Sequence, residues 1–235
     1  MTDGAYQALR EWLRETEDEP LEPMEAFFEA RLDGYESHMQ RFRAQYRLLA
    51  EQLPAATETL LDLGCGTGLE LDAIFARFET LHVVGVDLSE RMLAQLRAKH
   101  PGRALTLLCA DYLTCDLGTN AFDAAVSFET LHYFSQETKR RLFQKICDSL
   151  KPGGVYLECD YIATCQAMED LAFQACRNRR HRDGIPDGAL VHFDTPLTLS
   201  HEMQAMRDGG FSQVELIGFV PGDRHTPLIR ARKGV

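Results

Sequence analysis

No segment of this 235-residue sequence approaches the ~18 uncharged apolar residues that a membrane-crossing helix needs. Positive charge is scarce too. Twenty-five Lys and Arg face 36 Asp and Glu, a net charge of −11 with a sequence pI near 5.2. Such a surface repels nucleic-acid phosphates and anionic lipid, so neither nucleic acid nor membrane is expected as a partner. The one dense basic run is RNRRHR, residues 177–182. It reads either as a solvated helix end or as a patch that meets an anionic partner or substrate. Paired cysteines are missing. The seven cysteines are scattered without a C-x-x-C, which argues against a zinc site. Their odd number argues against a disulfide framework. Cys65, Cys109 and Cys159 sit in or beside apolar runs and read as small core residues. No metal is expected. The first twenty residues are acidic and carry no apolar signal core, which points to a cytoplasmic protein. Repeats and low-complexity tracts are also absent.

What remains is a chain with 45% hydrophobic residues, enough for one substantial domain with an addition. The first fifty residues read as helices, with Ala5, Leu9, Trp12 and Leu13 at helical spacing. Pro20 and Pro23 interrupt them, and a further helix is expected over 37–53, ended by Pro54. The pattern then changes. TLLDLG, LHVVGVD, ALTLLCAD, FDAAVSF and GVYLECDYI read as strands. Helices over about 69–78, SERMLAQLRAKH with Ser89 as N-cap, and SQETKRRLFQKICDSL lie between them. Such alternation means a parallel sheet with helices on both faces. A helical insertion over 167–182, a Gly-, Pro- and Asp-rich loop, a short helix and two closing strands complete the chain. The closing strands, FSQVELIGF and HTPLIRAR, are close enough to pair as a long hairpin.

The first strand breaks into Gly64-Cys65-Gly66-Thr67-Gly68. Glycine there lets a ligand meet the backbone, and the following helix points amide donors at it. Asp87 ends the next strand, nineteen positions after Gly68, where a carboxylate takes ribose hydroxyls. A nucleoside-containing cofactor is expected. The third glycine comes one position earlier than in a dinucleotide fingerprint, with Leu69 in its place. Asp62 just before the loop would repel a pyrophosphate and suits a cofactor with a cationic amino group.

LLDLGCGTG, VVGVDLSERML, LLCADY, FDAAVSFETLHYF and LKPGGVYLECDY together resemble the class I S-adenosylmethionine-dependent methyltransferases over residues 57–161. The resemblance implies a Rossmann-like α/β fold, a seven-stranded, mostly parallel sheet whose last strand is antiparallel. It implies that Gly64, Gly66 and Gly68 lie under the methionine part of the cofactor, with Asp62 near its amino group. Asp87 should take the ribose hydroxyls and Leu88 flank the adenine. Asp111 should accept the adenine amino group and Tyr112 lie beside the ring. The Ser127 carbonyl should receive the methionine ammonium. GYESHM resembles a stretch that precedes this domain in small-molecule methyltransferases, placing Tyr35 on the cofactor, although Glu36 departs from the usual Asp. Residues 1–54 are expected to form a helical lid and 55–235 the methyltransferase domain, with an insertion at about 163–200.

Methyl transfer needs alignment of the acceptor and exclusion of water. It also needs a base if the acceptor arrives protonated. Candidates follow the strand ends: Glu129 and His132 after the fourth, Asp160 and Tyr161 after the fifth, and His192 with Asp194 in the later loop. His132, Asp160 and His192 are the expected catalytic residues, with His192 and Asp194 as a possible dyad. Each has a plain alternative: packing for His132, loop hydrogen bonding for His192 and Asp194, a strand-end carboxylate for Asp160. Tyr112, Tyr133, Phe134, Tyr161 and Phe193 are either core or an aromatic wall favouring a planar acceptor and the sulfonium. The expected activity is methyl transfer to O, N or S of a small molecule. Open alternatives are non-methyl chemistry on the same cofactor, such as a cyclisation that releases methylthioadenosine, a nicotinamide-dependent oxidoreductase, and a cofactor-binding regulator. The acceptor and the oligomeric state are not readable.

Overall fold

A computed structural model describes residues 4–235. Seven strands form one sheet in the order β3-β2-β1-β4-β5-β7-β6. They are β1 Thr59–Leu63, β2 His82–Asp87, β3 Ala104–Cys109, β4 Phe122–Phe128, β5 Leu150–Cys159, β6 Gln213–Gly218 and β7 Leu228–Arg232. β1 to β5 run parallel; β7 is antiparallel to β5 and to β6, closing the expected hairpin. The helices are α1 Gly4–Glu15, α2 Met24–Met39, α3 Arg43–Gln52, α4 Leu69–Phe75, α5 Glu90–Lys99, α6 Gln136–Ser149, α7 Gln166–Asp183 and α8 Leu199–Asp208. Ser89 caps α5, its hydroxyl accepting from Met92 N. No described helix is long and apolar enough to cross a membrane.

The sheet separates two cores, as the two-residue period of its strands requires. Leu60, Val126, Leu157 and Cys159 face the side covered by α3, α4 and α5. Leu61, Leu63, Ala125 and Tyr156 face α6 and α8. The central strands β1, β4 and β5 are almost wholly buried, and the edge strands β3 and β6 are not. Buried parallel strands read as unbroken apolar runs for this reason.

The helix expected over 37–53 is two pieces. α2 continues to Met39, a 3-10 turn takes Gln40–Phe42, and α3 begins at Arg43. Phe42 leaves helical geometry (φ −93°, ψ 11°) and packs its ring on Phe128 at 5.4 Å. The turn lets Tyr46, Leu49 and Ala50 of α3 enter the core while α2 takes its own course toward the strand tips. The helix after the glycine loop also stops early, at Phe75.

The basic run 177–182 is neither free nor solvated throughout. Arg182 donates to the carbonyls of Glu17 and Glu19, and Arg179 donates to Thr16 Oγ1 at 2.7 Å. The Arg179 guanidinium also lies over Trp12 and Phe193. The end of α7 therefore grips the segment between α1 and α2. α1 has no fully buried residue of its own.

Candidate active site

Gly64, Gly66 and Gly68 take φ of 67°, 48° and 70° between β1 and α4. Protein explains two of the three. A Cβ at Gly64 would stand 2.1 Å from Thr130 Oγ1, and one at Gly68 would stand 2.3 Å from Leu96 Cδ1 of α5. At Gly66 the nearest atoms, the Tyr35 hydroxyl and the Met92 sulfur, stay at 3.5 Å. Asp87 ties the loop to β2. Its Oδ2 accepts from Gly66 N at 2.9 Å and its Oδ1 from Ser89 N at 2.8 Å. A carboxylate offers about four acceptor positions, so two remain for a ligand's hydroxyls. Burial raises the Asp87 pKa, against those N–H bonds, which lower it.

A cleft lies over these strand tips. Gly64, Gly66, Asp87 and Leu88 line it, with Asp111 and Tyr112 beyond. α2 contributes Met24, Phe28 and Tyr35. Tyr112 is fixed by its hydroxyl, which donates to the Thr130 carbonyl at 2.9 Å. Asp111 Oδ1 accepts from Leu113 N at 2.8 Å. The cleft is nearly shut: its volume is about 60 Å³, well below the roughly 300–1,000 Å³ of small-molecule sites. α2 lies along one side of it.

Three residues expected on the cofactor lie outside the cleft walls. Asp62 is fully buried and shares its strand face with Leu60, under α4. There it meets Glu70, and burial raises both pKa values, that of Glu70 to about 7. Burial thus favours a proton on the pair, and neither Asp62 oxygen has another partner among the described residues. Gly68 is covered by Leu96. Ser127 is still inside the sheet, paired with Leu63 and Glu158, and its hydroxyl bonds to Tyr156 at 2.6 Å. The backbone reaches the cleft just beyond it, at Phe128, Glu129 and Thr130.

Beside the cleft is a chamber of about 620 Å³ that shares Phe28, Tyr35, Glu129 and Tyr133 with it. His132, His192 and Asp194 line this chamber, and Asp160 stands behind His132. A third cavity, of about 850 Å³, extends under Leu9 and Trp12 of α1. Glu129 is the one described residue that lines all three. Its φ of 50° is left-handed, one of two such non-glycine residues described, and its Oε1 is buried without a hydrogen-bond partner.

Electrostatics sort the candidate bases. His132 Nδ1 is 2.5 Å from Asp160 Oδ1, and its Nε2 is 3.6 Å from Asp194 Oδ1. Burial alone would lower the His132 pKa, but the Asp160 carboxylate, then Asp194 and Glu129, raise it to about 9. Asp160 is held below the ordinary carboxylate range, His132 outweighing its burial. The carboxylates on either side thus favour the imidazolium, which donates, at neutral pH. His192 stacks on Phe27 with centroids 3.3 Å apart, and burial takes its pKa down to about 4. No hydrogen bond joins His192 to Asp194 among the described residues; Asp194 turns to His132 instead. Burial raises Glu129 to about 8, with His132 and Arg41 pulling it down and Asp160 and Asp194 pushing it up.

Glu129, His132 and Asp160 bring donor atoms within 4.8 Å of one another. Asp160 is already committed, accepting from Leu131 N and Tyr161 N as well as meeting His132. His132 and Asp160 thus form a hydrogen-bonded acid–base pair, with Glu129 beside them. Of the aromatic candidates, Tyr112, Tyr133 and Phe134 face the cleft, Tyr161 faces the third cavity, and Phe193 is packed against Trp12. Thr130, Phe28 and Met24 were not singled out by sequence. Only their positions after the fourth strand and on the second helix hinted at them.

An open parallel sheet with a glycine turn after β1, a carboxylate at the tip of β2 and an antiparallel seventh strand defines a nucleoside-cofactor transferase fold. Comparison with known proteins agrees. A family model described as "Methyltransferase domain" matches residues 60–154. Carboxy-S-adenosyl-L-methionine synthase of Campylobacter concisus is 30% identical over 180 residues, covering 72% of this chain and 75% of that one. Phosphoethanolamine N-methyltransferase 1 of Triticum aestivum is 34% identical over 108 residues, covering 45% of this chain and 21% of that one. Among solved structures, an S-adenosylmethionine-dependent methyltransferase from Mesorhizobium loti superposes with a TM-score of 0.59 at 24% identity, covering 81% of this chain and 98% of that one. Human N-acetylserotonin methyltransferase, solved with S-adenosylmethionine, gives 0.63 at 16% identity over 87% and 56%. The chain belongs to the class I S-adenosylmethionine-dependent methyltransferases, a family that binds that cofactor.

Proposed function

We propose that this protein moves a methyl group from S-adenosylmethionine to an O, N or S atom of a small molecule. The observation that carries this reading is the meeting of cleft and chamber at Glu129, Tyr35 and Tyr133. A group held against Asp87 would present its far end there. Bound in the cleft, the cofactor would supply a methyl already activated by its sulfonium. The donor set fits it: spare acceptor positions on Asp87 for ribose, Leu88 and Tyr112 for the adenine ring, and aromatic rings with Glu129 toward the cation. Asp111 stands ready for the adenine amino group. Gly64 and Gly66 let the ligand approach the backbone.

The remaining side chains align and exclude. Tyr35 lays its hydroxyl over Gly66, and residues 1–54 act as the lid, α2 lifting to admit ligands. The rest of the chain, 55–235, is the catalytic domain, its 163–200 insertion bordering the chamber. Asp160 orients His132; His132 steadies Asp194, and its carbonyl accepts from Thr195 N at 2.8 Å. His192, neutral at pH 7, offers the acceptor a hydrogen bond. Chromatography of reaction mixtures tests the reading: S-adenosylhomocysteine must appear in step with a methylated product.

The name of the Campylobacter relative favours a second reading, in which the cofactor itself is altered. Product analysis separates the two, because a modified sulfonium or methylthioadenosine would appear in place of S-adenosylhomocysteine.

A further inference from the structure

Glu129 sits at the junction of three cavities in a backbone conformation that side chains rarely adopt. Strain of this kind persists where the surroundings impose it, and it collects at functional sites. Its Oε1 is shut from solvent and has no hydrogen-bond partner. A buried carboxylate oxygen without a donor is costly, and no protein group supplies one among the described residues, so the oxygen is open to a donor brought by a ligand. The surroundings say which kind. Phe28, Tyr35 and Tyr133 line both the cleft and the chamber beside it. Phe27 and His192 form a stacked pair on the chamber wall. Asp194 adds a second carboxylate, 46% exposed, on the same wall. Two of the three nearby cations are engaged: Arg31 is bound to Glu22 at 3.0 Å and lies over Phe27, and His132 is clasped by Asp160. Arg41 lies over the Phe42 ring. Ring faces and carboxylates together recognise a cation. An ammonium brings three donors and a charge. A hydroxyl or thiol brings one donor and no charge.

We propose that the acceptor is an amine, bound as its ammonium, and that Glu129 is the catalytic base that takes its proton. This rests on the methyltransferase reading above and narrows its acceptor to nitrogen. An ammonium has no lone pair, so one N–H proton passes first to the Glu129 carboxylate. The freed nitrogen pair forms the new N–C bond as the methyl's C–S bond breaks, its electrons staying on sulfur. Charge and atoms balance: a sulfonium, an ammonium and the Glu129 carboxylate become a thioether, a protonated Glu129 and a methylammonium. Glu129 is suited to the step because burial raises its proton affinity while His132 and Arg41 hold it near the working range. Facing it are Arg41 from the 3-10 turn, His132 and Tyr133 from the loop after β4, and Asp160 and Tyr161 beyond β5. Asp194 comes from the loop before α8, Cys159 from β5, and Tyr35 and Tyr46 from α2 and α3.

The test uses three probes on one skeleton, phenethylamine, 2-phenylethanol and 2-phenylethanethiol. Calorimetry on the protein saturated with S-adenosylhomocysteine reads binding, and release of S-adenosylhomocysteine reads turnover. The amine is expected to bind and to exceed the other two at least tenfold in kcat/KM. That ratio should rise with pH through about 8 and fall near 10 as the free amine loses its proton. Glu129→Gln should lose at least a hundredfold in kcat and the rising limb, with S-adenosylhomocysteine affinity within twofold of wild type; Glu129→Asp should retain the limb. Turnover of the alcohol or thiol in preference to the amine overturns the proposal and leaves the methyltransferase reading standing. So does loss of S-adenosylhomocysteine affinity in Glu129→Gln, which assigns the carboxylate to the cofactor, or activity lost to EDTA and restored by manganese. Absence of both amine binding and amine turnover between pH 6 and 10 overturns it too. Methylthioadenosine as product removes the methyltransferase reading beneath it.

Discussion

Asp87 holds two backbone amides with one carboxylate and still faces the cleft. Replacing it therefore acts on ligand and loop together. Asp87→Ala should weaken S-adenosylhomocysteine about 10- to 100-fold in calorimetry, the worth of hydrogen bonds to a charged group. Asp87→Asn, which keeps one acceptor oxygen, should fall between. Glu129 predicts a stability effect of definite sign. Its pKa rises from 4.5 unfolded to about 8 folded. Between those values the folded chain keeps a proton that the unfolded chain has released, so its contribution to stability falls as pH rises and is fully lost above 8. Glu129→Gln should accordingly raise Tm at pH 9 and hardly change it at pH 5. Each kcal/mol recovered is worth about 2–4 °C for a domain of this size. A Tm gain that is equal at both pH values would contradict the assignment.

At the scale of elements, the turn after β1 is held by protein packing. Gly64→Ala combines a forbidden φ with a 2.1 Å approach to Thr130. It should cost on the order of 1–3 kcal/mol in urea unfolding from backbone strain alone. Thr130→Ala in the same chain should return part of the loss. The proposed lid role of α2 has its own test, since the cleft beneath it holds only about 60 Å³. Hydrogen exchange over 24–39 should slow on addition of S-adenosylhomocysteine and leave α6 unchanged. The alternation of strands and helices was legible because each buried strand is a short apolar run bounded by turn residues, and the five motifs fixed where Asp87 and Asp111 would lie. Asp62 was expected near the cofactor's amino group from its place in the motif. Strand periodicity turns it under α4 to Glu70, and that partner is visible only after folding. The proton balance of His132 was equally out of reach, because Asp160 and Asp194 come from segments 28 and 62 residues away. Glu129 could be named as a strand-end carboxylate, but its left-handed backbone and its place at the meeting of three cavities are properties of the folded chain.

The whole molecule is acidic, with a net charge of −11, and its site gathers carboxylates instead of cancelling them. That suits a cationic cofactor and a cationic acceptor and opposes phosphate-rich partners. Two buried polar groups support the site from opposite faces of the sheet: the Asp62–Glu70 pair under α4, and Lys139 with Glu202 at 2.5 Å between α6 and α8. The central claim is that the cofactor lies across the tips of β1 and β2 with its sulfur turned to Glu129. A crystal structure with S-adenosylhomocysteine tests it most directly. The account predicts ribose hydroxyls on Asp87 and the sulfur facing the chamber beside Glu129 and Tyr35. Ligand density elsewhere on the molecule, or a sulfur buried away from that chamber, would contradict it.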